Sequence, residues 1–455
     1  MSAGDGSVGA GARRAGSVGA GGQGAGSLGA GAQRAGLGGS LSPRARAVLL
    51  GCFVCQTGLG VAYVFGPLLK HVVAEFDWSR TVYAVGNAPL LLAMAVGNSL
   101  AGDLTERLGA RRVLVAATLL LAASLWCFGH VQSLPAYYAT CALFGVALAG
   151  LGDIPVGALA SRWVARGRGL ALGFVYVGSN AGGSLVPFAL EALTAPAAPA
   201  GGEGLAGLGL SWRSAVTWIG VVAALWILPF ALFAVREPRP GEVPSEAPAH
   251  RTPGADAPAE PAGLALREAL RTRSFWLLAA VLFAFYLYYL AVNLHLVPYL
   301  TDLGFSDARA AASYGGAVAV GIVAKLGMGA AADRLPLRRA LAANFALLTA
   351  ASLLLLAVRA PGALPVFLVA HGFATAAENV LLPLVVAECF GLRHMPRIYG
   401  ALMLTLFAGG ALGPILAGAA FDRFGEYRIA FGAFAALNVL ALALLPLLRR
   451  ETGAR

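Results

Sequence analysis

Long apolar stretches separated by short polar ones fill most of this chain. A helix needs about 20 residues to cross a hydrocarbon core of roughly 30 Å. Apolar runs of that order are predicted near 46–70, 81–102, 112–130, 136–161, 169–190, 212–235, 274–300, 308–331, 339–358, 363–390, 398–421 and 427–448. The pattern predicts an all-α membrane protein with twelve transmembrane helices.

Two segments interrupt it. Residues 1–40 repeat a ten-residue phrase, AGSVGAGARR, AGSVGAGGQG, AGSLGAGAQR, whose Gly, Ala and Arg offer almost nothing to bury. Residues 1–44 are therefore expected to form a disordered tail, and no apolar stretch with a cleavage site marks them as a secretory signal. Residues 236–272 are rich in Pro, Glu and Arg and cannot span a membrane, so they are expected to form a connector. The organisation expected is a six-helix bundle over 45–235, the connector, a second six-helix bundle over 273–448, and a short tail over 449–455.

Composition agrees with this reading. Of 455 residues, 58% are hydrophobic and 12% charged, where a soluble domain carries about 25% charged residues. The formal net charge of +11 raises the question of a nucleic-acid partner. The basic residues are scattered between apolar runs and form no patch or RNA-binding motif, so no such partner is expected. They read instead as topology, because cytoplasmic loops retain positive charge. With both termini inside, 25 of 31 arginines fall on the inner side, and only Arg80, Arg213, Arg309, Arg359, Arg423 and Arg428 fall outside. The expectation is an inner-membrane, multi-pass protein with cytoplasmic N- and C-termini, in contact with lipid and working as a monomer. Cys52 and Cys55 form a CxxC, but no second pair or nearby histidine completes a site, and Cys127, Cys141 and Cys389 lie in similar apolar surroundings. All five read as packing residues, and no metal or cofactor is expected.

The halves repeat one another. The loop after the second run reads Gly102-Asp-Leu-Thr-Glu106-Arg107-Leu-Gly109-Ala-Arg111-Arg112, and the loop after the eighth reads Gly329-Ala-Ala-Ala-Asp333-Arg334-Leu-Pro-Leu-Arg338-Arg339. The same spacing relates Ser79 to Ser306. This is a parallel repeat about an axis along the membrane normal. Gly102 and Gly329 are expected to permit close helix packing, and Glu106 or Asp333 to bridge helix ends through arginine in bonds that break when the cytoplasmic side opens.

These loops resemble the signature motif of the major facilitator superfamily, over roughly residues 45–448. Within it, Glu75-Phe76-Asp77-Trp78-Ser79-Arg80, the run from Arg162 to Gly173, and the segment from Gly413-Pro414 through Gly418 to Asp422-Arg423-Phe-Gly425 are similar to bacterial monocarboxylate and oxalate/formate-type transporters. The resemblance implies two six-helix bundles and secondary transport of small organic anions, monocarboxylates above all, by proton symport or anion exchange. Drug or metabolite efflux by the same fold is the alternative; Gly178-Ser-Asn-Ala-Gly182-Gly183 lacks the Gly-Pro step usual in drug/proton antiporters. A ligand sensor built on the fold is a further one. No phosphate-binding loop, HExxH or nucleophile elbow suggests an enzyme or ATP-driven transport.

A charge in mid-membrane costs about 2.5–3.5 kcal/mol, so the few present are functional candidates. Lys325, Asp153 and Glu378 fall roughly 12, 14 and 18 Å from their cytoplasmic helix ends at 1.5 Å per residue. The chain has two lysines, Lys70 and Lys325, against 31 arginines. A lysine is a compact point charge suited to holding and releasing a carboxylate. In the families resembled, an arginine in the matching place is taken to bind substrate carboxylate, which implies that role for Lys325. Asp153 and Glu378 are candidate proton carriers. Tyr286, Tyr288, Tyr289, Asn293 and His295 load the seventh helix with polar groups, His295 being expected at the outer interface. Tyr176, Ser179, Asn180, Asn87 and Asn379 are further pathway candidates, each of which can equally join helices. The substrate set is thus Lys325, Tyr176, Asn180, Tyr289, Asn293 and Asn379.

Overall fold

The structure is a computed structural model and describes residues 42–164, 168–196, 207–239, 242, 263–332, 336–391 and 393–451. The expected tail up to residue 41 and the loop residues Asp333 and Arg334 lie outside the described residues, as do the side-chain surroundings of Gly329.

Eleven helices among the described residues are long and apolar enough to cross a membrane. In chain order the crossing elements are α1 (Pro43–Phe76), α2 (Arg80–Leu108), α3 (Ala110–Gly129), α4 (Leu134–Trp163), α5 (Arg168–Thr194), α6 (Trp212–Ala234), α7 (Arg273–Asp302), α8 (Asp307–Ala332), α9 (Leu337–Leu356), α10 (Ala363–Phe390), α11 (Arg397–Phe424) and α12 (Arg428–Leu447). The twelfth element is α5, 27 residues long, whose centre carries Gly178, Ser179, Asn180, Gly182 and Gly183. No strand occurs among the described residues beyond one isolated bridge between Gly263 and Gly391. This follows from the solvent, because hydrocarbon offers no partner for backbone N–H and C=O, which a helix satisfies internally.

Of the departures from regular helix geometry, three lie in α1, α6 and α4. α1 tightens into a 3-10 segment at Gly58–Val64. α6 widens into a π turn at Phe230–Ala234 just after Pro229. α4 is broken at Gly152, whose extended backbone lets Asp153 begin a fresh helical stretch, Asp153–Trp163. The first and third of these breaks flank the chemistry described below.

Each half has its own hydrophobic core, one built almost entirely from residues 45–235 and the other from 269–448. The halves meet along α5 with α8, α2 with α11, and α1 with α7. Glycine sets the spacing where backbones nearly touch. A Cβ on Gly60 would lie 2.1 Å from the Gly183 nitrogen, and one on Gly418 would lie 2.8 Å from the Thr81 nitrogen across the two halves.

The end carrying Arg111 differs from what the loop motif predicts. Glu106 and Arg107 are exposed, and Glu106 makes no ion pair among the described residues. A Cβ on Gly102 would meet nothing closer than Ile154 at 4.0 Å, so this glycine is not a close-packing contact here. The physical reason is that the hydrogen bonds between described residues of the two halves lie at mid-depth and at the opposite end, leaving Glu106 no partner bundle to reach. Glu237 takes the expected bridging role within the first half, accepting from Arg162 at 3.0 Å and from the Ala110 N–H at 3.4 Å, while Arg111 donates to the Val235 carbonyl at 2.8 Å. Gly109 turns the chain at φ +82°, a conformation that favours glycine. Arg112 and Arg339 are exposed, and the Arg338 Nε is buried without a hydrogen-bond partner among the described residues. Beside this group Glu242 receives both Arg236 amino nitrogens at 2.8 Å, the Arg239 N–H, and Arg44 at 3.0 Å. The Arg236 guanidinium, ahead of the Arg239 backbone, holds the Glu242 carboxyl down at about 2. This contact is complete above the ordinary carboxylate range and is lost only as pH falls through about 2.

Candidate functional site

The end opposite Arg111 carries ion pairs that join the two halves. The α2 helix begins at Arg80 behind the Ser79 cap, directly after Asp77 closes α1 in a left-handed turn at φ 53°. This places the Arg80 guanidinium, about 9% exposed, against the second half. It donates to Asp302 on α7 at 2.6 and 3.3 Å and to the Tyr427 hydroxyl, and its Cζ lies 3.4 Å over the Phe421 ring. Lys70 adds a second cation to Asp302 at 2.6 Å. Asp422, at the end of α11, accepts from the Arg80 and Thr81 N–H groups, each at 2.9 Å. A carboxylate thus caps the N-terminus of α2 across the bundle interface, where the helix dipole favours negative charge.

His295 belongs to this region as a buried residue, contrary to the interfacial place expected for it. It is 0% exposed, contacts Tyr427 Oη at 3.1 Å, and shares its second ring nitrogen with the Pro414 carbonyl at 2.9 Å. Pro414 has no N–H, so the carbonyl it leaves without a helical partner is that of Gly410, which Asn87 of α2 fills from the other half at 2.7 Å.

At mid-depth α8 brings Lys325 to the face of α5. Its Nζ donates to the Tyr176 carbonyl and to Ser179 Oγ, both at 3.1 Å, and the side chain is half-buried. The ammonium makes no ion pair with an acid among the described residues; it interacts through space with Asp153. Asp153 is exposed at the start of the second stretch of α4, accepts a hydrogen bond from Gln56 of α1, and has the Tyr176 hydroxyl 3.3 Å from its backbone carbonyl. Glu378 of α10 is 2% exposed and accepts from Tyr286 of α7 at 3.0 Å. Tyr399, at the start of α11, lies within electrostatic range of both Asp153 and Glu378. One lysine, two carboxyls and three tyrosines from both halves therefore face one region, although each carboxyl has its own neutral hydrogen-bond partner.

The other expected pathway residues separate. Tyr289 contacts Tyr63 hydroxyl to hydroxyl at 3.2 Å across the halves. Asn180 is 6% exposed and donates to the Val318 carbonyl at 3.0 Å, with Gly321 leaving room for its amide, so it joins α5 to α8. Asn87 does the same between α2 and the Gly410 carbonyl at 2.7 Å. Asn293 is half-buried where α7 meets Gly66 of α1, some 20 residues along α7 from its start and away from Lys325. Asn379 is exposed and makes no hydrogen bond among the described residues. Sequence reasoning missed Gln56, Tyr399 and the Arg80 cluster as site residues. For the cluster a signal existed: the run ending at Arg80 and the run ending at Gly425 are two of the motifs that carried the family resemblance, and here they touch.

A family model described as the Major Facilitator Superfamily matches residues 48–367 and 319–455. The chain belongs to this superfamily. It is accordingly a multi-pass membrane transporter and not an enzyme. Over 137 residues it is 27% identical to YhjX of Escherichia coli (strain K12), described as an uncharacterized MFS-type transporter, a stretch that is 30% of this chain and 34% of that one. Over 157 residues it is 28% identical to the agnestins efflux protein AgnL12 of Paecilomyces divaricatus, covering 33% of this chain and 36% of that protein. The matched stretch thus spans about a third of each of these relatives. Among solved structures, an inward-facing, unoccupied bacterial homologue of the human lysosomal transporter Spinster aligns with a TM-score of 0.68 at 18% identity, covering 90% of this chain and 98% of that one. A mutant of the nucleoside transporter NupG gives 0.68 at 12% identity, over 89% and 99%. A D-xylose–proton symporter gives 0.65 at 15% identity, over 90% and 99%. At these identities the structures establish the fold of this superfamily alone.

Proposed function

We propose that the chain is a secondary transporter of small organic anions, monocarboxylates first among them, working by proton symport or anion exchange with Lys325 as the carboxylate-binding group. The observation that carries this reading is the state of the Lys325 ammonium. It lies deep in the membrane between the halves, yet its two contacts are neutral oxygens. A full positive charge held this way is under-compensated, and a travelling carboxylate supplies what is missing. Tyr176, Ser179 and Tyr399 surround the place where that carboxylate would sit. One of the two acids, Asp153 or Glu378, takes up the accompanying proton.

With the arginine bias placing both termini in the cytoplasm of the inner membrane, the Arg80 cluster closes the outer side and Asp153 faces the inner one. Asp422 and Asp302 then act as an outer lock that opens in alternation with the Glu106 end. Asp422 holds the N-terminus of α2 from the other half through backbone N–H groups, and a carboxylate at a helix N-terminus is worth about 0.3–1 kcal/mol. Asp422→Asn is therefore expected to shift the population toward outward-open forms. Spin labels placed by Asp77→Cys and Glu426→Cys should report it as a new long-distance component in the inter-label distance distribution. An unchanged distribution in Asp422→Asn and Arg80→Ala would remove the lock from the account.

The test of function is uptake of labelled lactate, pyruvate, acetate, formate and oxalate into proteoliposomes, with and without an imposed pH gradient. Gradient-stimulated uptake of at least one carboxylate is expected. The efflux description of AgnL12 favours a second reading, export of a lipophilic solute, which predicts no carboxylate uptake and transport indifferent to Lys325→Ala.

A further inference from the structure

Gln56 has no role in the reading above, yet its placement is specific. It lies in the last turn of the regular part of α1, two residues before the 3-10 segment begins. The side chain is 0% exposed and its Cβ is pressed against α5, where a Cβ on Gly178 would come within 3.0 Å of it. Its Nε2 donates to Asp153 Oδ1. Its Oε1 is buried with no hydrogen-bond partner among the described residues. Buried polar atoms nearly always find a partner, so an orphaned acceptor beside a carboxyl needs an explanation.

The chemistry of the pair supplies one. A primary amide presents two donors on one side and an acceptor on the other, exchanged by a half-turn of its terminal bond. A carboxylate only accepts, so it takes the nitrogen side; a carboxylic acid also donates through its O–H, which the oxygen side receives. We propose, resting on the proton-carrier reading of Asp153, that Gln56 is the positioning residue that serves this carboxyl in both of its protonation states. In the deprotonated site Nε2 donates to the carboxylate. When a proton arrives from water at the open end, the amide turns and Oε1 accepts from the new O–H; on release the proton returns to water and the amide turns back. No other bond forms or breaks.

The other groups around Asp153 do not do this. Lys325 from α8 acts through space, and Tyr399 at the start of α11 lies at electrostatic range. From α5 the Tyr176 hydroxyl is directed at the Asp153 backbone carbonyl, and the Cys52 thiol of α1 stands near Tyr176. From α2 the nearby polar group at the Gly152 break is the uncharged Asn98, and α3 offers Val113 and Ala117 beside Gly150. By holding the carboxyl on the α1 side in both states, Gln56 also keeps it from collapsing onto the ammonium, which stays open to the anion.

The test is proton-driven uptake against pH for wild type, Gln56→Met and Asp153→Asn, together with pH-difference infrared spectra of protein labelled with carbon-13 in the glutamine side chains. A hydrogen bond to an ion is about twice as strong as one to a neutral group, so losing both states of the amide destabilises the carboxylate more. The uptake midpoint in Gln56→Met should rise by about one pH unit. In wild type one labelled glutamine amide band should shift on the same titration, and that band should be absent from Gln56→Met and static in Asp153→Asn. A Gln56→Met midpoint equal to wild type, or a glutamine band that does not respond across the wild-type titration, overturns the proposal while Asp153 remains a proton carrier. A wild-type midpoint in Asp153→Asn overturns the proton-carrier reading itself, and the proposal with it.

Discussion

Carboxylate uptake by Lys325→Ala should fall by roughly 30-fold or more, since truncating one partner of a buried charge pair costs about 2–5 kcal/mol and each 1.4 kcal/mol is tenfold. The loss is expected in both gradient-driven uptake and counterflow, because both need the substrate bound. Folding is not expected to suffer. The substitution removes a charge whose burial costs about 2.5–3.5 kcal/mol, and the Tyr176 carbonyl and Ser179 hydroxyl it leaves behind are neutral. Lys325→Arg keeps the charge but replaces a point donor with a planar fork. It should restore part of the activity and change the preference among carboxylates. Uptake by Lys325→Ala within twofold of wild type would show that the ammonium does not hold the substrate.

The second large effect concerns coupling. A carrier that moves one proton with each anion can accumulate that anion roughly tenfold per unit of pH gradient, because one pH unit is worth about 1.36 kcal/mol. Asp153→Asn or Glu378→Gln should leave counterflow of labelled against unlabelled substrate in place and bring gradient-driven accumulation down to equilibration, a ratio of about one. The two positions are not equivalent. Glu378 is 2% exposed and bonded to Tyr286, whereas Asp153 is exposed next to Gln56. The single substitution that abolishes accumulation identifies the carrier, and wild-type accumulation in both variants would end the proton-symport branch and leave anion exchange.

The fold was readable because its cause is one-dimensional. A run of about 20 apolar residues has one outcome in hydrocarbon, and the repeated loop after α2 and α8 pairs the halves without any tertiary information. The least apolar crossing, α5, was readable as well, since its Gly, Ser and Asn are framed by Leu and Val on both sides. Lys325, Asp153 and Glu378 stood out for the same reason, as charges where charge is costly. What the sequence could not show was partnership. Asn180 and Lys325 are both polar groups at the α5–α8 contact, and only geometry shows that the first is spent on the Val318 carbonyl while the second meets neutral oxygens alone. Nothing in the sequence marks Gln56, because its partner Asp153 reaches it only through the break of α4 at Gly152. His295 carried a polar ring near a helix end, which suggests an interface, but Pro414 and Tyr427 come from elements far away in the chain to bury it. The Glu106 motif names a contact that depends on which end of the bundle is closed, and a sequence holds both ends at once.

The most direct measurement uses the scarcity of lysine. Lys70 and Lys325 are the two lysines of the chain, so a membrane-permeant amine-reactive probe followed by mass spectrometry reads the candidate site against an internal control. Lys70 is already paired with Asp302 at the far end of the bundle. Adding a transported monocarboxylate should slow modification of Lys325 at least several-fold and leave Lys70 unchanged, while the corresponding neutral amide protects neither. Modification of Lys325 at the same rate with and without saturating carboxylate would contradict the claim that this ammonium receives the substrate.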